Sequence, residues 1–336
     1  MKKIKYFIFT VFLFLVGCGN EARSTLNPQG EVGKLQLQLM KISTWIMVFV
    51  IVVVLVLFII ILLKFIEKKD NKDFIPEQVE GNRKLEIIWT IVPILLILIL
   101  AIPTVYYTFK LAVTDTEVVN KSKYLVNVNA RLFWWEFEYV NEEFITSQEL
   151  VIPVGKKVYF QLKGHDVKHS FWIPSLGGKQ DTNVERTNRM YLIADKPGVY
   201  NGYCAEFCGA SHALMQFTVK ALPLDEYEQW VKNMKTKEKV STNLNGEEIF
   251  NSKCSGCHST DPLDPRPLKA RIAPNLGNFA DRPLVTGILK NSNQNIKEWL
   301  NDPEKYKPGN KMTNTYGELT EEETNKLIEY LNSLTR

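Results

Sequence analysis

Residues 42–63 and 87–109 contain no Asp, Glu, Lys or Arg. An α-helix rises about 1.5 Å per residue, so runs of 22 and 23 residues each cover a hydrocarbon core of about 30 Å. Inside lipid the backbone must satisfy its own polar groups, which makes both runs helices. Pro93 and Pro103 lie in the second run and can kink it without breaking it. The loop between the spans carries Lys64, Lys68, Lys69, Lys72, Arg83 and Lys84. Lys/Arg enrichment marks the cytoplasmic side, so everything before the first span and after the second is expected on the outer face.

The N-terminus agrees with that orientation. Lys2, Lys3 and Lys5 precede an apolar run from Phe7 to Val16, the pattern of a secretion signal over residues 1–18. Leu15-Val16-Gly17-Cys18 resembles a bacterial lipobox, which makes Cys18 a lipidation site and the mature N-terminus. An ordinary first membrane helix is the competing interpretation, but the run is shorter than the ~20 residues a span needs. Glu86 stands at the cytoplasmic mouth of the second span, either as a plain interfacial charge or as a proton-uptake group. The residues alone favour the plain charge.

A length of 336 residues allows two or three domains. The net charge is only +4, and from residue 243 onward 12 Lys+Arg face 13 Asp+Glu, so no basic face for nucleic acid is expected. The expected order is a leader (1–18), an external segment (19–41), a transmembrane hairpin (42–110), a first external domain (111–227), a linker (228–243) and a second external domain (244–336). The linker assignment rests on Lys232, Lys235, Lys237, Lys239, Ser241 and Thr242.

The first external domain reads as β. Leu125–Asn129 alternates, as does Val158–Leu162. Pro153-Val154-Gly155, Leu176-Gly177-Gly178 and Lys196-Pro197-Gly198 are turn signals. Short strands with dense turns predict a sandwich or Greek-key barrel. Cys204, Cys208, His212 and Met215 share one loop, and His169 lies upstream on an expected strand. A mononuclear blue-copper site uses one thiolate, two imidazoles and a weak thioether. With two thiolates, this set suits a thiolate-bridged copper pair, and a loop carbonyl can supply a further ligand. A Cys204–Cys208 disulfide and a four-coordinate zinc site are the alternatives. Met215 and the aromatic surroundings favour copper.

Cys254-Ser255-Gly256-Cys257-His258 in the second domain has the spacing of a covalent c-type haem site. The cysteines bind the haem vinyls and His258 is placed under the iron. Met312 follows Met234 as the last methionine, and it carries the sixth ligand if the iron takes a soft one. Thr320-Glu321-Glu322-Glu323 is a capping box before a helix with Leu327, Ile328, Leu331 and Leu334 on one face. The fold class expected is multidomain: a two-helix membrane hairpin, a β-sandwich or Greek-key barrel that resembles the cupredoxins, and an all-α domain that resembles class I cytochromes c.

Gly164-His165-Asp166-Val167-Lys168-His169-Ser170-Phe171-Trp172-Ile173-Pro174 resembles the signature of cytochrome c oxidase subunit II, and so does Ala194–Tyr200 running into the cysteine loop. The resemblance covers residues 35–220. It implies a dinuclear copper A centre on His169, Cys204, Cys208, His212 and Met215. It gives Glu206 a copper-binding carbonyl and a side chain on a magnesium ion shared with subunit I. It makes Glu86 the carboxylate at the mouth of a proton channel. Phe133-Trp134-Trp135 matches the aromatic run through which electrons come in, although many members begin it with Trp. His165 also matches a family position and is given no ligand role. Pro274-Asn275-Leu276 resembles the loop whose proline carbonyl orients the haem histidine.

Together these features resemble the haem c-bearing, caa-type subunit II of bacteria. That resemblance implies a membrane-bound component of a proton-translocating oxidase. Electrons would pass from reduced cytochrome c to haem c, to copper A, and to haem a in subunit I, where dioxygen becomes water. Subunit III and further oxidase subunits are implied partners. With four histidines and two spans, this chain is not the whole enzyme. Tethering is expected to raise the effective concentration of the haem at the copper site. A copper A-containing nitric oxide reductase would use the same ligands. A copper-delivery protein would need no haem, and a quinol oxidase subunit would lack the copper ligands.

Overall fold

The computed structural model describes residues 21–66, 80–236 and 244–336. The leader with Cys18, the loop residues Lys68, Lys69 and Lys72, and linker residues 237–243 lie outside the described residues. The chain divides into a hairpin unit, Lys34–Ala112, and a second unit, Met1–Gly33 with Val113–Arg336.

Two helices dominate the hairpin unit: α1 (Glu31–Phe65) and α2 (Arg83–Leu111). Helix α1 starts at Glu31, earlier than the apolar run that begins at Ile42. Hydropathy detects the lipid-facing part of a helix, and the polar residues Lys34, Gln36, Gln38 and Lys41 hid its first turns. Asn82 caps α2 by accepting from the Lys84 and Leu85 amides. Pro93 and Pro103 stay within the helix. Large apolar side chains such as Phe49, Leu57, Ile61, Ile91 and Leu98 point outward, the arrangement lipid requires.

After the hairpin, the second unit resumes with the short helix α3 (Thr116–Asn120) and continues as two five-stranded sheets. One sheet contains β1 (Leu125–Arg131), β2 (Trp134–Tyr139), β3 (Phe144–Ser147), β5 (Val158–Gly164) and β8 (Asn188–Leu192), in the order β3-β2-β1-β5-β8. The other contains β4 (Glu149–Pro153), β6 (His169–Ile173), β7 (Gly177–Thr182), β9 (Gly198–Cys204) and β10 (Gln216–Leu222), in the order β4-β10-β9-β6-β7. Strand β5 shows why they form a sandwich. Val158, Phe160 and Leu162 are buried, while Tyr159, Gln161 and Lys163 between them are partly exposed. Between the sheets Phe171 and Phe217 stack at 5.1 Å, with Phe137 and Trp135 tilted against Phe217.

The expected linker needs correction over residues 228–235. They belong to helix α4 (Leu224–Lys235), which buries Tyr227 and Met234. Trp230, between them, packs on Tyr139 and Phe144. These three are one helical face at i, i+3 and i+7; the surrounding lysines are the solvated face.

The C-terminal part is helical. Helix α5 (Leu244–Lys253) ends at the Cys254 motif, and α6 (Asn293–Asn301), α7 (Pro303–Tyr306) and α8 (Glu321–Asn332) follow. The capping box on α8 forms in both directions between Thr320 and Glu323. Leu327, Ile328, Leu331 and Leu334 pack with Phe250, Phe279, Ile296 and Leu300 in one core, against which Cys254, Met312 and Trp299 also rest.

This helical part is more than tethered to the sandwich. The Ile145 amide donates to the Pro262 carbonyl at 2.9 Å and the Asn275 amide to Ser147 Oγ at 3.0 Å. Arg131 Nη2 donates to the Leu268 carbonyl at 2.8 Å. Arg271, itself buried, lies 3.7 Å from Glu136 and 3.4 Å from Glu138.

Candidate functional site

Strand pairing assembles the first centre. Phe171 on β6 faces Cys204, the last residue of β9. Side chains two apart on a strand share a face, so His169, two residues before Phe171, projects on the side of Cys204. The chain then loops through Cys208 and His212 and returns into β10 after Met215. Gly209 turns that loop at φ +128°, and a Cβ there would lie 3.3 Å from the Phe133 ring.

The donor atoms converge. Cys204 Sγ lies 3.8 Å from Cys208 Sγ, 3.9 Å from His169 Nδ1 and 3.3 Å from the Glu206 carbonyl oxygen. Cys208 Sγ lies 3.5 Å from His212 Nδ1 and 3.9 Å from Met215 Sδ. Both cysteines are free thiols, so the disulfide alternative is not realised here. His169, Cys204 and Cys208 are buried and their ligand atoms lie within 4.8 Å of one another. Two soft thiolates, two imidazoles, a thioether and a carbonyl around one point are a donor set that fits a copper pair.

Asp166 is a further candidate that the sequence does not single out. Its Oδ1 accepts from His169 Nε2 at 2.8 Å, which leaves Nδ1 aimed at Cys204. The only signal in sequence was its place three residues before His169. Burial alone would raise the Asp166 pKa, but bonds from His169 and from the Leu132 and Val167 amides outweigh it and hold the carboxyl low. Burial likewise pushes His169 down, and Asp166 and Cys204 together more than reverse this. The Cys204 thiol is pushed down, chiefly by the bond from Cys208, whose own thiol is pushed up by the same bond.

The aromatic run divides by position. Trp135 is fully buried, packs edge-on against His169 at 6.2 Å, and aims its Nε1–H at the Met215 carbonyl at 3.4 Å. Phe133 and Trp134 are buried as well. His165 stands outside the donor cluster. It bonds Asn129, which donates to Glu136, the partner of Arg271. Burial, then Arg131, pushes His165 down to about 4. Phe207 at the loop tip is 81% exposed, beside half-buried Glu206.

The second centre forms where α5 ends. The Cys257 and His258 amides donate back to the Cys254 carbonyl, which curls the motif into one turn. His258 Nδ1 donates to the Pro274 carbonyl at 2.7 Å, leaving Nε2 free for a metal. Burial pushes His258 down, keeping the imidazole neutral as a ligand must be. Burial also pushes the Cys254 thiol up to about 11. Met312 is partly buried against the helical core, its amide held by Asn310 Oδ1 at 2.8 Å. Two free thiols, a neutral imidazole and a loop thioether fit a covalent haem. Glu86 is exposed in the first turn of α2.

Comparison with known proteins matches this layout segment by segment. Residues 25–106 match the transmembrane domain of cytochrome C oxidase subunit II, residues 105–222 its periplasmic domain, and residues 244–335 cytochrome c. Cytochrome c oxidase subunit 2 of Bacillus sp. (strain PS3) is 52% identical over 97% of this chain and 97% of its own length.

The chain belongs to the cytochrome c oxidase subunit II family.

Its similarity to cytochrome c oxidase subunit 2 of Bacillus subtilis (strain 168) is 48% over 96% of this chain and 94% of that protein. Quinol oxidase subunit 2 of Bacillus cereus (strain ATCC 14579) is 35% identical over 77% of this chain and 91% of that protein. This subunit II chain thus carries its own cytochrome c domain. The subunit II domain implies copper A and the cytochrome c domain implies haem c. The transmembrane match spans both apolar helices, as in a two-span membrane protein.

Proposed function

We propose that this subunit takes electrons from reduced cytochrome c and delivers them, through its own haem c and a dinuclear copper A centre, to the haem-copper subunit I. There dioxygen is reduced to water with proton pumping. The observation that carries the proposal is the convergence of Cys204, Cys208, His169, His212, Met215 and the Glu206 carbonyl on one buried point. When bound, copper A and haem c supply one-electron chemistry with little change of geometry.

The chain's own residues do the rest. Asp166 fixes the tautomer and orientation of His169. Cys204 and Cys208 give up their protons when they bind a metal. Trp135, Phe171 and Phe217 keep water from the sandwich side of the centre. On the helical side, Cys254 and Cys257 anchor the porphyrin and His258 and Met312 ligate its iron. The Glu206 side chain holds magnesium at the contact with subunit I, and exposed Phe207 lies in the same contact. Glu86 serves proton uptake, and Phe133-Trp134-Trp135 line the electron path. Subunit III is a further partner. The sandwich and the cytochrome domain face outward from the bacterial plasma membrane, with Cys18 lipidated.

The test uses the intact complex purified through this chain. It should oxidise reduced cytochrome c with oxygen uptake, and Cys208→Ser should abolish both while leaving haem c attached. Consumption of nitric oxide in place of oxygen, or undiminished turnover in Cys208→Ser, would overturn the proposal.

A further inference from the structure

Lys307 is only 4% exposed, and among the described residues no carboxylate pairs with it. It belongs to the helical domain, just after α7, yet its Nζ donates at 2.8 Å to the carbonyl of Phe133 on the sandwich. The next residue repeats the link: Ser211 Oγ, beside His212, donates to the Pro308 carbonyl at 2.7 Å. Gly309 follows at φ +76°, and a Cβ there would lie 3.6 Å from the Ala210 Cβ and 3.7 Å from the Phe133 ring. Asn310 then holds Met312. One short loop therefore touches both Phe133 and the loop bearing the copper ligands.

A buried ammonium with no counter-charge is a poor source of stability, and an apolar residue of similar size does better. What such a group specifies is register, because its charge is tolerated only where an acceptor meets it. Burial alone pushes Lys307 down to about 7, in keeping with a site that offers a carbonyl and no anion.

We propose that Lys307 is a positioning residue that latches the cytochrome c domain onto the copper loop in one register. The latch makes this domain a fixed part of the subunit rather than a tethered visitor. It rests on the proposed function for its purpose, though not for its contact. Removing the amine leaves the Phe133 carbonyl buried without its donor, a loss that shifts the seated-to-unseated ratio by roughly fivefold or more.

The experiment compares the full holo-chain with Lys307→Met, a side chain of similar length without charge. Hydrogen exchange at the amides of residues 209–213 reads seating directly, with no turnover involved. Flash reduction of haem c then gives separate rates for donor to haem and haem to copper. At least fivefold faster exchange at residues 209–213, with a slower haem-to-copper rate and an unchanged donor-to-haem rate, is the expected result. Unchanged exchange and unchanged haem-to-copper rate, with both spectra intact, overturn the latch. Should Lys307→Met lose either centre, Ser211→Ala removes the companion bond and is read the same way: faster exchange supports the latch and wild-type exchange overturns it. A wild-type chain without copper or haem would refute the proposed function, while the exchange measurement would still decide the latch.

Discussion

Glu136 makes the sandwich and the helical domain packed on it lose stability as pH rises. Its carboxylate is buried between the sandwich and the helical domain. Asn129 donates to it at 3.0 Å and Arg271 lies 3.7 Å away. Burial raises its pKa from 4.5 to about 7, against the opposing pull of Arg271 and Asn129; Glu138 adds to the rise and Arg131 opposes it. The folded state therefore holds a proton that the unfolded chain has already released. Between these two values the unfolded state binds fewer protons, so stability falls with rising pH. At about 1.4 kcal/mol per pH unit, the rise amounts to about 3 kcal/mol of stability that is fully present below about pH 4.5 and lost above about pH 7. Glu136→Gln keeps an oxygen for Asn129 and removes the titration. Denaturant unfolding of the loaded chain and of this variant, at pH 4.5 and pH 8, isolates the effect because other groups cancel in the difference. The variant should gain about 3 kcal/mol on the wild type between the two pH values. Parallel pH profiles would refute the reasoning.

Asp166→Asn removes the anion that orients His169 and should weaken copper binding roughly 10- to 100-fold in a competition titration. Met312→Ala should leave haem covalently attached but lower its midpoint potential; an unchanged potential would show that another side chain ligates the iron. Cys18→Ala should abolish incorporation of labelled fatty acid, and persistent labelling would rule out the lipobox.

The chemistry was far more legible than the packing. Cysteine and histidine show their pattern in spacing, so the Cys204 loop and the Cys254 motif stand out in the sequence as candidate sites. The spans were readable because lipid tolerates no charge, but the start of α1 was not, since Lys34, Gln36 and Gln38 turn its first part polar. Residues 228–235 looked like a linker because lysines outnumber the buried Tyr227, Trp230 and Met234 that define the helix. The seam between sandwich and cytochrome domain left no trace. Lys307 and Arg271 resemble solvated charges in sequence, and only folding reveals that they are buried. Asp166 stood in a recognised signature, yet its hold on His169 depends on a bend that sequence does not show.

The central claim is that one buried point holds two coppers beside a covalent haem. Metal analysis with electron paramagnetic resonance on the freshly purified full chain tests it most directly. Two coppers and one haem c per chain, with an unpaired electron shared equally by both copper nuclei, is the predicted result. A single zinc, or a copper signal confined to one nucleus, would contradict it.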